Sequence, residues 1–377
     1  MGEWEEGLLG DLIIFQRGHD LPKTKMQGGE YPVVGSNGII GYHNEYTTEA
    51  PSITIGRSGN VGKPFLFKGR SWSHNTSLYI KEYKAVDPIF IYYFLQTLDL
   101  GNYAGGSAVP TLNRNHIHTL NVYVPTDIAE QRKIGAVLSA IDDKIELNNA
   151  INENLEQQAH ALFKAWFVDF EPFGGVMPYD WNVGIVSDLS KEIICGKTPS
   201  TKKKEYYGNF MPFITIPDMH NCVYAISTER YLSELGAKSQ SKKTLPKNSI
   251  CVSCIGTAGL VVLVAVDSQT NQQINSIIPK DGYSPYYIYL FMQTLSEKIN
   301  RLGQSGSTIV NLNKAQFGIM EALVPSIVSM NEFDSIVQPL FKLILANQQE
   351  NQRLSAIRDT LLPKLMNGEI DVSAVKI

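Results

Sequence analysis

Cysteine is scarce in this chain. There are 4 among 377 residues, and all lie in the second half, at Cys195, Cys222, Cys251 and Cys254. So thin a set excludes a disulfide scaffold and suits a reducing cytoplasm, the expected location. No apolar run approaches the roughly 18 residues of a membrane span, so no membrane segment is expected. The opening MGEWEEGLLG has no basic stretch leading into an apolar one, and no signal peptide is expected there. An excess of positive charge is missing too: 33 Lys and Arg stand against 37 Asp and Glu, a formal net charge of −4. A polyanion binder built this way has local basic faces and weak non-specific affinity. The acid is concentrated in 126–175, with nine acidic against four basic residues.

Catalytic signatures are also lacking. An adenine methyltransferase needs an Asp/Asn/Ser-Pro-Pro-aromatic loop. The nearest string, Asp87-Pro88-Ile89-Phe90, has no second Pro and reads as the first turn of a helix. No Gly-rich loop joins an aliphatic strand to a helix, and no GxxxxGK followed by Ser or Thr is present. Pro217-Asp218 has no Glu-x-Lys after it, as a restriction nuclease would require. Cys251-x-x-Cys254, with Cys222 and His220, is the one metal-like spacing. Without a second CxxC it reads better as buried strand cysteines, and no metal site is expected.

What the chain does have is repetition. Trp4, Gly7, Asp11 and Leu12 return as Trp181, Gly184, Asp188 and Leu189, shifted by 177. Ser52-Ile53 and Gly59-x-x-Gly62 return as Ser249-Ile250 and Gly256-x-x-Gly259, shifted by 197. PIFIYYFLQTL (88–98) returns as PYYIYLFMQTL (285–295), GSAVPTLNR (106–114) as GSTIVNLNK (306–314), and Val124-Pro125 as Val324-Pro325. Collinear matches whose offset grows only by insertion mark a tandem duplication. Each copy reads as a β-rich half, an amphipathic helix, the GS…LN loop and a last strand ending in Val-Pro.

A heptad segment follows each copy. In the first, Ile134, Leu138, Ile141, Ile145, Asn148, Asn152, Leu155, Ala159, Leu162 and Trp166 step by four and three. In the second the same steps give Phe333, Val337, Leu340, Ile344, Asn347, Asn351, Leu354, Arg358, Leu361 and Leu365. This is a coiled-coil pattern. Each helix should run about 35–40 residues, roughly 55 Å. Pro339 should kink or break the second, and Pro172 with Gly174-Gly175 should end the first. Antiparallel pairing sets Asn148 opposite Asn351 and Asn152 opposite Asn347. Such amides either fix the helix register or are merely solvated at a loose crossing. The expected fold class is α+β: two repeated α/β domains, 1–125 and 176–325, joined by two long antiparallel coiled-coil helices with pseudo-twofold symmetry. The helices occupy 126–175 and 326–377, the latter including the C-terminal tail.

Two similar domains related by a twofold match the symmetry of duplex DNA. Domains about 35–50 Å apart would meet it roughly 10–15 base pairs apart. The copies have diverged, so the target should be bipartite and asymmetric. Four stretches carry a further likeness: EQRKIGAVLSAIDDKIELNNAINENLEQQAHALFKAWFVDF (130–170), TNQQINSIIPK (270–280), both GS…LN loops, and LLPKLMNGEI (361–370). Through them, and collinearly over essentially its whole length, the chain resembles the specificity subunit of type I restriction–modification systems. The resemblance implies two target recognition domains, each reading half of a split site in double-stranded DNA. It implies helices that hold two methyltransferase subunits and, through them, the restriction/translocase subunits. It also implies a non-catalytic chain, with S-adenosylmethionine, ATP and Mg used by those partners. Two other classes compete: a coiled-coil adaptor linking two protein-binding modules, and a stand-alone methyltransferase or nuclease, which the missing motifs disfavour.

Candidate DNA contacts follow from charge and side-chain chemistry. GRSGNVGKPFLFKGRSWSHN (56–75) holds Arg57, Lys63, Lys68 and Arg70 with no acid, and His74 and Asn75 can reach base edges. A solvated hairpin face is the alternative. In the second copy the matching segment is aliphatic. Its polar cluster is Asn271, Gln272 and Gln273 with Asn275, suited either to adenine or to an amide network at a strand end. Lys202, Lys203 and Lys204, and Lys242-Lys243, are phosphate candidates or solvated loop faces. The GS…LN loops, with Asn113-Arg114 and Asn313-Lys314, read equally as a phosphate clamp or as a helix cap and turn.

Overall fold

The computed structural model describes residues 3–106, 110–304 and 312–376. The chain forms two compact units: residues 1–145 with 353–377, and residues 146–352.

In the first unit a short antiparallel pair, Trp4–Leu8 with Asn121–Pro125, closes the domain next to the start of the first long helix. The main sheet has four antiparallel strands in the order Ile13–Arg17, Ser77–Tyr83, Ser52–Gly56 and Pro64–Phe67. A smaller sheet joins Tyr31–Gly35, Gly38–His43 and Trp72–Ser73. The second unit repeats the main sheet with Ser190–Cys195, Ile274–Pro279, Ile250–Ser253 and Val261–Val264, and adds Tyr224–Ala225 at the edge. The added strand lies within the insertion that stretched the repeat offset from 177 to 197. The repeated Gly-x-x-Gly turns left-handed in both units, with φ of +86° and +79° at Gly59 and Gly62, and +78° and +93° at Gly256 and Gly259. At Gly62 a Cβ would sit 2.4 Å from the Gly101 nitrogen, so only glycine fits there.

The helix after each sheet starts as its sequence directs. Asp87 accepts from the Ile89 and Phe90 amides and Pro88 takes the first turn; in the second copy Ser284 accepts from the Tyr287 amide and Pro285 takes the first turn. This helix is not amphipathic, contrary to expectation. Seven consecutive residues, Tyr286 to Met292, are buried, because sheet and long helix cover this helix from both sides. Gly135 lets the backbones close up in the first unit, since a Cβ there would lie 3.1 Å from the Phe90 nitrogen.

The two long helices, α1 (Ile128–Phe167) and α2 (Ile327–Met366), are 40 residues each. None of the twenty heptad positions is exposed. Within the first unit Ile134 and Leu138 of α1 share a core with Leu365 and Met366 of α2. Within the second, Leu155, Ala159, Phe163 and Phe167 share one with Phe333, Val337, Phe341 and Ile344. Phe163, Phe167 and Phe341 lie outside the heptad series. There the helices also form the floor of the globular domain, and the apolar stripe widens.

Pro339 does not break α2, contrary to expectation. It sits exposed on the outer face, while Val337 and Phe341 on either side are fully buried and hold the helical path. The end of α1 also comes earlier than Pro172, at Phe167, followed by Phe170 in the left-handed region.

Candidate nucleic-acid interface

The loops at one end of the main sheet gather the polar candidates of the first unit. Arg57 follows the strand Ser52–Gly56. Its amide donates to the Thr76 carbonyl (2.8 Å) and its carbonyl accepts from Leu112 (2.9 Å). The side chain is half-buried. Burial, and then the nearby charge of Arg17, pull its pKa below the usual arginine value. Arg17 carries no signal in its local sequence. It ends the strand Ile13–Arg17, and only the non-local pairing of Arg17 with Leu78 brings it here. His74 lies at the same end, its Nδ1 3.0 Å from the Thr76 hydroxyl, and forms a parallel bridge with His19. Asn75 donates to Asp20 at 2.5 Å.

The rest of the 56–75 segment is dispersed. Lys68 pairs with Asp143 of α1 at 2.6 Å. Arg70 pairs with Glu49 at 2.8 Å and lies over the Tyr46 ring, 4.5 Å from its centroid. Glu49 raises the Arg70 pKa through their hydrogen bond. Lys63 lies 5.7 Å from the Phe65 ring centroid. The acids absent from the local sequence are thus supplied by Glu49 and Asp143, distant in the chain.

In the second unit the amide cluster is internally bonded. Asn271 donates to Gln273 Oε1 and accepts from the Gln273 amide, both at 3.0 Å. Gln272 Oε1 accepts from Thr198 at 2.7 Å, and Asn275 donates to the Leu312 carbonyl at 3.0 Å. Lys202, Lys203 and Lys204 are exposed, with Lys203 bonded to the Tyr206 hydroxyl at 3.1 Å. The thiols do not converge: Cys251 and Cys254 belong to different apolar clusters. Burial pushes Cys251 up to about 12 and Cys254 up to about 11.

The Gly-Ser starts of the GS…LN loops fall partly (107–109) and wholly (306–311) outside the described residues. Their LN ends have a local explanation. Leu112 and Leu312 are buried anchors, and Asn113 and Asn313 cap the short helices Arg114–His118 and Lys314–Gly318. Arg114 and Lys314 open those helices, exposed.

In the coiled coil of the second unit, Asn148 donates to Asn351 (2.9 Å) and to Glu350 (2.7 Å), and Asn347 donates to Asn152 (2.8 Å). Asn351 donates in turn to Asn149 at 2.8 Å. The partners rise along α1 as they fall along α2, so within this unit the helices run antiparallel.

A family model described as the type I restriction modification DNA specificity domain matches residues 1–157 and again 178–358. The chain belongs to this family. It is 38% identical over 329 residues to the type I restriction enzyme HindI specificity subunit of Haemophilus influenzae, a match covering 69% of this chain and 71% of that one. It is 29% identical over 303 residues to the MjaIX specificity subunit of Methanocaldococcus jannaschii, covering 75% and 69%. The fold is shared with the type I restriction-modification S subunit of M. genitalium, with a TM-score of 0.66 at 18% identity over 97% and 96% of the two chains. The two repeats are therefore the DNA specificity domains of a type I specificity subunit. No helix among the described residues is long and apolar enough to cross a membrane.

Proposed function

We propose that this subunit reads a bipartite, asymmetric site in double-stranded DNA, one half per specificity domain, and scaffolds the enzymes that act on it. One observation carries the reading: the same backbone frame recurs in both units while the polar groups at its strand ends differ, Arg57, His74 and Asn75 in one against Asn271, Gln272 and Gln273 in the other. A shared frame docks each half alike, and unlike ends read unlike half-sites. Lys202, Lys203, Lys204, Arg114 and Lys314, all exposed, suit phosphate contacts.

The helices are assigned two methyltransferase subunits, and through them the restriction/translocase subunits. Their outer faces support this, with exposed polar residues such as Glu146, Asn154, Gln157 and Gln158 on α1. The chain is read as non-catalytic, with S-adenosylmethionine, ATP and Mg serving the partners in the cytoplasm. Asn148, Asn152, Asn347 and Asn351 act in register. Methylome sequencing of a host with and without this gene tests the reading. The expected difference is one motif of two unlike halves around an unread gap. A contiguous motif, or none, sinks it.

A further inference from the structure

Two arginines flank the start of one strand in the first unit. On one side Arg17 lies opposite Leu78, and the Gly18 amide donates to Ser77 at 3.0 Å. On the other, the Arg57 amide donates to Thr76 at 2.8 Å. Among the described residues neither side chain has a carboxylate partner. Like charges held together, one of them partly desolvated, cost stability. That cost makes sense where a ligand brings the acceptors.

The second unit keeps the frame and has cysteines at both arginine positions. Cys195 lies opposite Asn275, and Gly196 donates to Ile274 at 3.1 Å. Cys254 donates to Gln273 at 2.8 Å and accepts from Leu312 at 3.0 Å, as Arg57 does from Leu112. Cys195 and Cys254 thus stand where the first unit has Arg17 and Arg57. The nearby cations there are Lys197, in the place of His19, and Lys243, which donates to the Cys195 carbonyl at 2.9 Å.

We propose that Arg57, backed by Arg17, is a specificity-determining residue that reads a guanine in the half-site taken by the first domain. The second domain lacks this guanidinium fork at the equivalent point, where Cys254 is buried. This rests on the DNA-reading function proposed above. Guanine is the base whose major-groove edge offers two acceptors, O6 and N7, to a guanidinium fork. The backbone of Arg57, tied on both sides, fixes where that fork starts.

The test is methylome sequencing of the assembled complex with wild-type chain, Arg57→Ala, Arg57→Lys and Arg17→Ala. In both Arg57 variants one G·C position of one half-site should relax, by roughly 5- to 150-fold in relative methylation, with the other half unchanged. Lysine keeps the charge and loses the fork, so it separates reading from charge and decides the matter if the alanine variant fails to assemble. Arg17→Ala should relax the same position less. An unchanged motif overturns the proposal. So does uniformly weaker methylation with a flatter salt dependence, the mark of a phosphate contact. A wild-type complex with no bipartite motif overturns the underlying function instead.

Discussion

At the scale of single residues, Lys68 and Arg70 each hold a carboxylate, Asp143 and Glu49, and Arg57 holds none among the described residues. The Asn of each LN pair was visible as a repeated letter, and its capping role follows from its place before a short helix. Arg57 was visible as a cation in an acid-free stretch. Arg17 was not, because antiparallel pairing over some sixty residues leaves no mark in the local pattern. For the same reason Lys68 and Arg70 read as part of one patch, yet the fold gives each its own carboxylate. Arg57→Ala should therefore weaken DNA binding by the complex more than Arg70→Ala, measured by titration at fixed salt. Equal losses would restore the single patch. The thiols make a separate prediction. Burial raises Cys251 to about 12, Cys254 to about 11 and Cys222 to about 11, so all three stay protonated near pH 8. A thiolate reagent at that pH should modify Cys195 first and reach Cys251 and Cys254 only on unfolding. Mass spectrometry of the labelled peptides checks the order.

At the scale of elements, heptad spacing gave the long helices and the positions they bury. The end of α1 at Phe167 and the fate of Pro339 needed tertiary packing. The missing amide bond at Pro339 faces outward, where water can take the freed Ser335 carbonyl. Pro339→Ala should raise stability by about 1–3 kcal/mol, read from the urea midpoint. The asparagine layers respond differently. Asn152→Leu or Asn347→Leu alone leaves one amide facing an apolar partner and should cost about 1–3 kcal/mol. The double variant should cost less than the two together, since both amides are then gone. Additive losses would mean the 2.8 Å contact contributes nothing to stability.

At the scale of the molecule, the duplication was plain in the sequence, but the composition of the units was not. A linear reading assigns each helix to a segment of its own. The compact units instead divide inside both helices, so the first domain is completed by residues 353–377. Leu365, Met366 and Val372 are buried in its core, and Lys133 donates to the Ser373 carbonyl at 2.7 Å. Deleting 353–377 should thus loosen residues 1–145 and spare 146–352, as hydrogen exchange would report. Loss of protection confined to 146–352 would contradict the division. Replacing 1–125 with a diverged relative's domain should change one half of the methylated motif and leave the other.

The returning tail also sets a timetable for synthesis. A nascent domain commonly folds once its own residues have left the ribosome. Here the first domain lacks Leu365, Met366 and Val372 until some two hundred further residues have been made. The second domain, contiguous in the chain, can close before that. The domain translated first is then the last to finish, and during the wait the apolar face around Ile134 and Leu138 stands open to whatever chaperone or partner reaches it.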